Sequence, residues 1–371
     1  MSSHIGTKRE GKYDKNIYTD FSNSIFSNNV WFRYIVYKLP QQQGSQYNTV
    51  RNGTAYLYMD SKDHEWRFSG KSLSFTDNSL AHTLSQVYKH EYSNDVFYFF
   101  YNDQVGKMSP KVGHTKGVVA FDEELGFWLI HSVPHFPPHK KYAWPRSATI
   151  FGQSALCVTF PIDQLLDISY QLYLNSPGIY GSNLPASFAT RFPYLAKALR
   201  AVRKTSPPYE NSVVLRSKDG ENFVSFAKSG KWHKELYTDY VSKVLKTSLL
   251  TETWRNGQGN MHSNCSSQYR VLDVKDIQLT DGIYFPTTRD HSKWAVSTSD
   301  KSWVCIGDIN RQARNANHGQ LRRGGGTMCI HNDDVWSHYY NAIKSYEKCA
   351  VKREDAPQPT NDQSSSGPKL A

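Results

Sequence analysis

The chain lacks any apolar run approaching the ~18–20 residues of a membrane span. Its opening, MSSHIGTKREGKYDKN, has no apolar core of a secretory signal. As it stands it carries no export signal, which fits either an intracellular protein or a mature or truncated form. Cysteine is scarce, with five in 371 residues. Cys157, Cys265, Cys305, Cys329 and Cys349 fit neither a zinc spacing nor a Cys-x-x-Cys redox motif. Four of them fall in the last third, which points to two local disulfides and one free thiol. Acidic residues are in deficit: 33 Asp and Glu face 44 Lys and Arg, a net charge of +11 with histidines neutral. That balance suits a polyanionic partner such as nucleic acid, although a basic but ordinary soluble protein has the same balance. The 14 histidines would add positive charge below pH ~6.5, so acid strengthens such binding.

What is present is order. WFRYIVYKLP (31–40) and DVFYFFYND (95–103) read as strands, and TDNSLAHTLSQVYKH (76–90) between them as a helix. His114 then opens HTKGVVAFDEELGFWLIHSV, two apolar runs around an acidic turn, a hairpin pattern. The same series recurs: strand ENFVSFAK (221–228), helix HKELYTDYVSKVLKT (233–247), strand SLLTETWR (248–255), and a hairpin HSKWAVSTSDKSWVCIGDIN opened by His291. His131 lies 17 residues after His114 and Asp308 lies 17 after His291; GQSALC (152–157) and GGGTMC (324–329) occupy matching places further on. The series predicts a mixed α/β protein of two duplicated sheet-and-helix halves. Helical stretches at 161–174 and 184–204 and the breaker TSPPYENS (205–212) separate them. The expected division is a polar leader over 1–30, halves over 31–207 and 208–349, and a disordered tail over 350–371, with a last helix at 333–348.

His-x-Lys occurs once in each copy, as His114 with Lys116 and His291 with Lys293. On a strand, residues two apart share a face, so each copy sets an imidazole beside an ammonium. Brought together about a pseudo-twofold axis, the four surround a volume suited to a phosphate. The lysines would neutralise its oxygens, one neutral imidazole would attack phosphorus, and the other, protonated, would supply the leaving oxygen with its proton. No cofactor or metal is needed for that chemistry. The lysines disfavour charged imidazoles, so an acid optimum is expected.

The wording of the motifs points to a family. YKLP, GHTKGVV, FWLIHSVPHFPP, FGQSALCVTFP, DHSKWAVS, WVCIGDINR and RRGGGTMC, spread between Trp31 and Cys349, resemble deoxyribonuclease II. The resemblance implies a phospholipase D-like pseudo-dimer with one shared site, and metal-independent cleavage of double-stranded DNA at acid pH to 3′-phosphate ends. It carries the catalytic roles onto His114, Lys116, His291 and Lys293, with His114 as nucleophile, His291 as general acid, and the exchanged roles open. His131 and Asp308 are read as orienting or phosphate-contacting groups, together with Asn310, Arg322 and Arg323; the glycines at 324–326 could offer donors to a phosphate or make a tight turn. The family pairing joins Cys265 to Cys349 and Cys305 to Cys329 and leaves Cys157, whose family partner is absent here, as a buried free thiol. A lysosomal or secreted location follows from the resemblance, and it would give meaning to the sequons at Asn52 and Asn264. Oligomeric state stays open. Rival readings are a catalytically weak DNA-binding or toxin-like relative and a phospholipase-type phosphodiesterase using the same four residues. A zinc site on His131, His135 and His139 is disfavoured by the prolines of HSVPHFPPH, and a serine elbow at GQSAL lacks its second glycine.

Overall fold

The computed structural model describes residues 33–349 apart from 107–111, 258, 299–300 and 314–318. The leader and tail expected at 1–30 and 350–371 lie outside the described residues. Eight strands, β1 (Arg33–Lys38), β2 (Tyr56–Asp60), β3 (Arg67–Phe68), β4 (Phe97–Asn102), β5 (Lys116–Phe121), β6 (Leu125–His131), β7 (Gln153–Pro161) and β8 (Ile179–Asn183), form one sheet in the order β3-β2-β1-β7-β6-β5-β4-β8. A second sheet gathers β9 (Glu210–Arg216), β10 (Asn222–Lys228), β11 (Leu249–Thr253), β12 (Val271–Gln278), β13 (Tyr284–Pro286), β14 (Lys293–Ser297), β15 (Trp303–Gly307) and β16 (Gly325–His331) in the order β13-β12-β11-β14-β15-β16-β10-β9, with β17 (Ile343–Tyr346) also on β12.

Reading the first sheet from β8 and the second from β12 superimposes the two series. β4, β5, β6, β7 and β1 take the places of β11, β14, β15, β16 and β10. The first copy holds α2 (Ser79–Tyr88) between β1 and β4, after a single turn α1 (Asn48–Arg51); the second holds a π-helical turn at Tyr237–Val241 running into Ser242–Leu245 between β10 and β11. Duplication is thus visible in space as well as in order.

Alternation along the strands divides the core into three layers. Ile35, Tyr37, Phe97, Phe99, Val119 and Leu156 of the first sheet share one apolar layer with Trp294, Val296, Val304, Ile306 and Met328 of the second. The intervening residues, such as Val36, Phe100, Val118 and Leu129, face Leu80, Leu84 and Val87 of α2. Phe226, Leu249 and Ala295 face Leu236, Tyr237 and Val241 on the far side of the second sheet. Each sheet is therefore buried on both faces, and the two meet through the shared layer.

Several boundaries differ from the sequence pattern. The stretch 184–204 is two short helices, Ala186–Arg191 and Pro193–Leu199, because Pro193 cannot continue the first and is instead well placed to begin the second. The last helix runs only over Asp333–Asn341, and Ile343–Tyr346 turns back as β17 against β12. The breaker at 205–212 ends sooner than expected, since β9 starts at Glu210. Cys265 and Cys349 are bonded, as are Cys305 and Cys329, while Cys157 is free and buried.

Candidate active site

β5 and β14 occupy equivalent places and both begin at the lysine of His-x-Lys, which leaves each histidine two residues ahead of regular pairing. Each histidine is held by the opposite half. The His114 amide donates to the Gly324 carbonyl and the His291 amide to the Gly152 carbonyl, both at 2.8 Å. His114 Nδ1 donates to the main-chain carbonyl of Asp308 at 2.5 Å, and His291 Nδ1 to that of Ser132 at 3.0 Å, with Gln153 Oε1 at 3.2 Å as a second acceptor. A carbonyl can only accept, so the proton sits on Nδ1 and each neutral ring keeps its lone pair on Nε2.

The two glycines are required by this closeness. A Cβ on Gly324 would lie 2.2 Å from the Asn175 carbonyl, and one on Gly152 would lie 2.3 Å from Asp290 Oδ1. Lysines on paired strands fix the loops that carry them. Lys38, at the end of β1, donates to the carbonyls of Thr149 (2.5 Å) and Phe151 (2.7 Å); Lys228, at the end of β10, donates to those of Gln320 and Arg323, both at 2.8 Å.

His114, Lys116, His291 and Lys293 are each more than nine-tenths buried. Burial foremost, then the lysine charges, holds both imidazoles well below their ordinary range. Lys116 and Lys293 both act on His114 and on His291, and His114 acts on His291, so the four form one electrostatic cluster. Burial and the charge of Lys116 also hold Lys293 well below the usual ammonium range. Its Nζ donates to the His291 carbonyl.

The flanks of the cluster differ. Asn102 pairs with Lys116 and Thr253 with Lys293, so the next residues, Asp103 and Trp254, are counterparts. Asp103 accepts from Lys116 Nζ at 2.5 Å and from Arg323 Nη2 at 2.8 Å, and these cations keep its carboxyl well below the usual range against the opposing effect of burial. Trp254 instead sets its ring against His291, centroids 4.7 Å apart. Behind Lys293 lie Asp290, which accepts from Tyr37 and Ser292, and Glu252, whose carboxylate oxygens have no hydrogen-bond partner among the described residues. Burial, then the charge of Asp290, pushes Glu252 well above the ordinary carboxyl range, toward the neutral acid.

The supporting residues fall in several places. His131 is fully buried beside Phe136 and accepts from the Val133 amide; burial lowers it to about 3, so it is neutral, and it feels the Lys116 charge. Its expected mate Asp308 is one residue out of step. Gly117 pairs with Ile130 and Trp294 with Ile306, so Gly307 matches His131 and Asp308 matches Ser132. That is why Asp308 and Ser132 serve the same end, each accepting from the other half's histidine. The Asp308 carboxyl accepts from the Gly326 amide, and burial raises it to about 7. Among the glycines 324–326, the Gly324 carbonyl holds His114, the strand starts at Gly325, and the Gly326 amide is used internally. Asn310 is buried against Gln312. Arg323 binds Asp103 and the carbonyls of Val112 and Gly113, and Arg322 lies in the preceding turn. Asn52 is exposed and Asn264 half-buried.

Asp103, Trp254, Gln153, Glu252 and Asp290 escaped sequence reasoning. Only the aligned ends of β4 and β11, read as counterparts, would have pointed to the first two. Among the described residues no three His, Cys, Asp or Glu side chains come together as metal ligands would, and no helix is long and apolar enough to cross a membrane.

Comparison with known proteins agrees in extent with this architecture. A profile of the family Deoxyribonuclease II matches residues 28–349. Plancitoxin-1 of Acanthaster planci is 42% identical over 326 residues, covering 86% of this chain and 89% of its own. Deoxyribonuclease-2-alpha of Sus scrofa is 38% identical over 329 residues, 86% and 87% of the two chains. Cell death-related nuclease 6 of Caenorhabditis elegans is 36% identical over 338 residues, 87% of each. A match across both halves, with the paired His-x-Lys strands inside it, places this chain in the deoxyribonuclease II family.

Proposed function

We propose that this protein is an endonuclease that hydrolyses double-stranded DNA at acid pH, without a metal ion, through a phosphohistidine, leaving 3′-phosphate ends. The observation that carries the reading is the reciprocal fixing of two imidazoles: each Nδ1 is tied to the opposite half's main chain, so both Nε2 atoms are available to one phosphate between two lysines. The copies are taken as 31–207 and 208–349.

In the first step the neutral His114 Nε2 attacks phosphorus. The P–N bond forms as the bond to the 5′ oxygen breaks, and protonated His291 gives that oxygen its proton. Lys116 and Lys293 neutralise the non-bridging oxygens. Neutral His291 then takes a proton from water, whose oxygen attacks phosphorus and breaks the P–N bond. Because burial and the lysines depress both imidazoles, only acid solution supplies the proton that the first step requires. An acidic compartment, lysosomal or extracellular, and glycosylation at Asn52 and Asn264 fit that requirement. Asn310, Arg322 and Arg323 are assigned to the surround of the site, with Arg323 acting through Asp103.

Similarity to a protein named as a toxin raises a second reading, a toxin-like relative with weak turnover. The complete set of four site residues favours turnover. Nicking of supercoiled plasmid in excess EDTA at pH 5 and pH 7.5 tests the proposal. Cleavage at pH 5 that His114→Ala and His291→Ala each abolish is the expected result. Cleavage that only an added metal restores would overturn it.

A further inference from the structure

A phosphate held by two equivalent His-Lys pairs could be entered from either direction along a strand, and a single kind of product end requires something that breaks the equivalence. The break is visible at matched positions. Beside His114 stand Asp103 and Arg323, joined by an ion pair. Their counterparts beside His291 are Trp254 and Phe151, the latter preceding Gly152 as Arg323 precedes Gly324. These two rings meet edge to face with centroids 4.7 Å apart. Both are half-buried, and the exposed guanidinium of Arg289 lies 5.7 Å from the Phe151 ring centre. A row of cation, phenyl, indole and imidazole thus leads from the surface to His291. Trp254 holds this place at φ 38°, a backbone region unfavourable for any residue but glycine.

We propose that Trp254 and Phe151 form a nucleobase-stacking subsite, and that it fixes the direction in which a DNA strand crosses the site. The inference rests on the hydrolytic reading above. With His114 attacking and His291 protonating the 5′ oxygen, the nucleotide beside His291 is the one immediately 3′ to the cut, and its base is the one that stacks. The base that stacks is one extruded from the duplex beside the cut, since within the helix both of its faces are covered. Aromatic rings take any such base, because each has a π face, so the subsite gives direction without strong sequence preference. Arg289 at the outer end is placed to meet the next phosphate.

The test uses short DNA duplexes in which uncharged methylphosphonates replace every phosphate but one, at pH 5 in EDTA. Three substrates are compared: intact, abasic on the 3′ side of the cleavable bond, and abasic on its 5′ side. Wild type is expected to lose about tenfold in kcat/KM on the 3′-abasic duplex and to change little on the 5′-abasic one. Trp254→Leu is expected to lose about tenfold on intact DNA and nothing further on the 3′-abasic duplex, with Trp254→Phe recovering most of the loss. Phe151→Leu gives the same pattern more weakly and serves if the Trp254 variant fails to fold. A Trp254→Leu enzyme slowed by one factor on all three substrates, or a wild type indifferent to both abasic sites, would overturn the subsite while leaving the hydrolytic reading intact; a wild type hindered by the 5′-abasic site instead would overturn the direction assigned to it. Wild type that cleaves neither these duplexes nor unmodified plasmid in EDTA would overturn both.

Discussion

Replacing Asp103 with asparagine keeps the shape of the side chain and removes its charge. The carboxylate joins Lys116 at 2.5 Å to Arg323 at 2.8 Å, and it is nearly enclosed, with 6% of its side chain exposed. Removing one partner of a buried ion pair typically costs about 3–5 kcal/mol, because the remaining charges stay desolvated. Asparagine can still accept from one of the two cations, so about 3 kcal/mol is expected here. The effect on activity has a definite sign. The Asp103 charge favours protonated His114, opposing burial, Lys116 and Arg323. Without it the imidazole falls further, and the acid limb of the rate profile moves toward lower pH. Asp103 itself is held below the ordinary carboxylate range, so its contribution to stability is present above pH ~4, the unfolded value, and is lost only as pH falls through the lower folded value. It therefore persists through a working range near pH 5. Plasmid nicking in EDTA at half-unit steps from pH 3.5 to 7, beside calorimetric melting, measures both effects. An unmoved profile, or one shifted toward neutral pH, would refute the assignment of Asp103 as the counter-charge of the His114 side.

Other perturbations follow from the same geometry. His114→Ala and His291→Ala should each lower kcat by at least ~1,000-fold, and the double variant should be scarcely slower than either single one, because the two rings act as a unit; single-turnover cleavage reads this. Lys228→Met should leave the carbonyls of Gln320 and Arg323 unsatisfied, lower stability by about 2–4 kcal/mol in urea melts and reduce activity by releasing Gly324 from His114. Removing the Cys265–Cys349 bond, which spans a sequence separation of 84, by serine at both positions should cost about 2–4 kcal/mol and lower the melting temperature, with activity at 25 °C largely retained. Gly324→Ala should lower both the melting temperature and activity, because the methyl group must push the Asn175 main chain or the loop aside where His114 is anchored.

The sequence made the repeat readable because its elements recur in order and each hairpin opens on His-x-Lys. Residues two apart on a strand share a face, so the four central side chains could be placed together without coordinates. The short elements resisted, because two- to five-residue strands such as β3 and β13 carry too little periodicity, and β17 was hidden behind helix-forming spacing in AIKSYEK. The pairing of Asp308 with Ser132 was missed for a different reason: equal spacing of 17 residues concealed hairpins that differ by one residue. Asp103 and Gln153 act through contacts distant along the chain, which no local pattern encodes.

The amide of each histidine bonds to a glycine carbonyl of the other half, one contact made twice in matching places of the two copies. Such an arrangement is how an isologous dimer meets its partner. In a true homodimer, every substitution at that interface appears twice. An acid at the Asp103 position would pair with both lysines, and an indole at the Trp254 position would replace both counter-charges. Joining the copies in one chain removes that constraint, so one flank can remain ionic while the other becomes aromatic. Tandem connection thus permits a polarity that the symmetric assembly could not express.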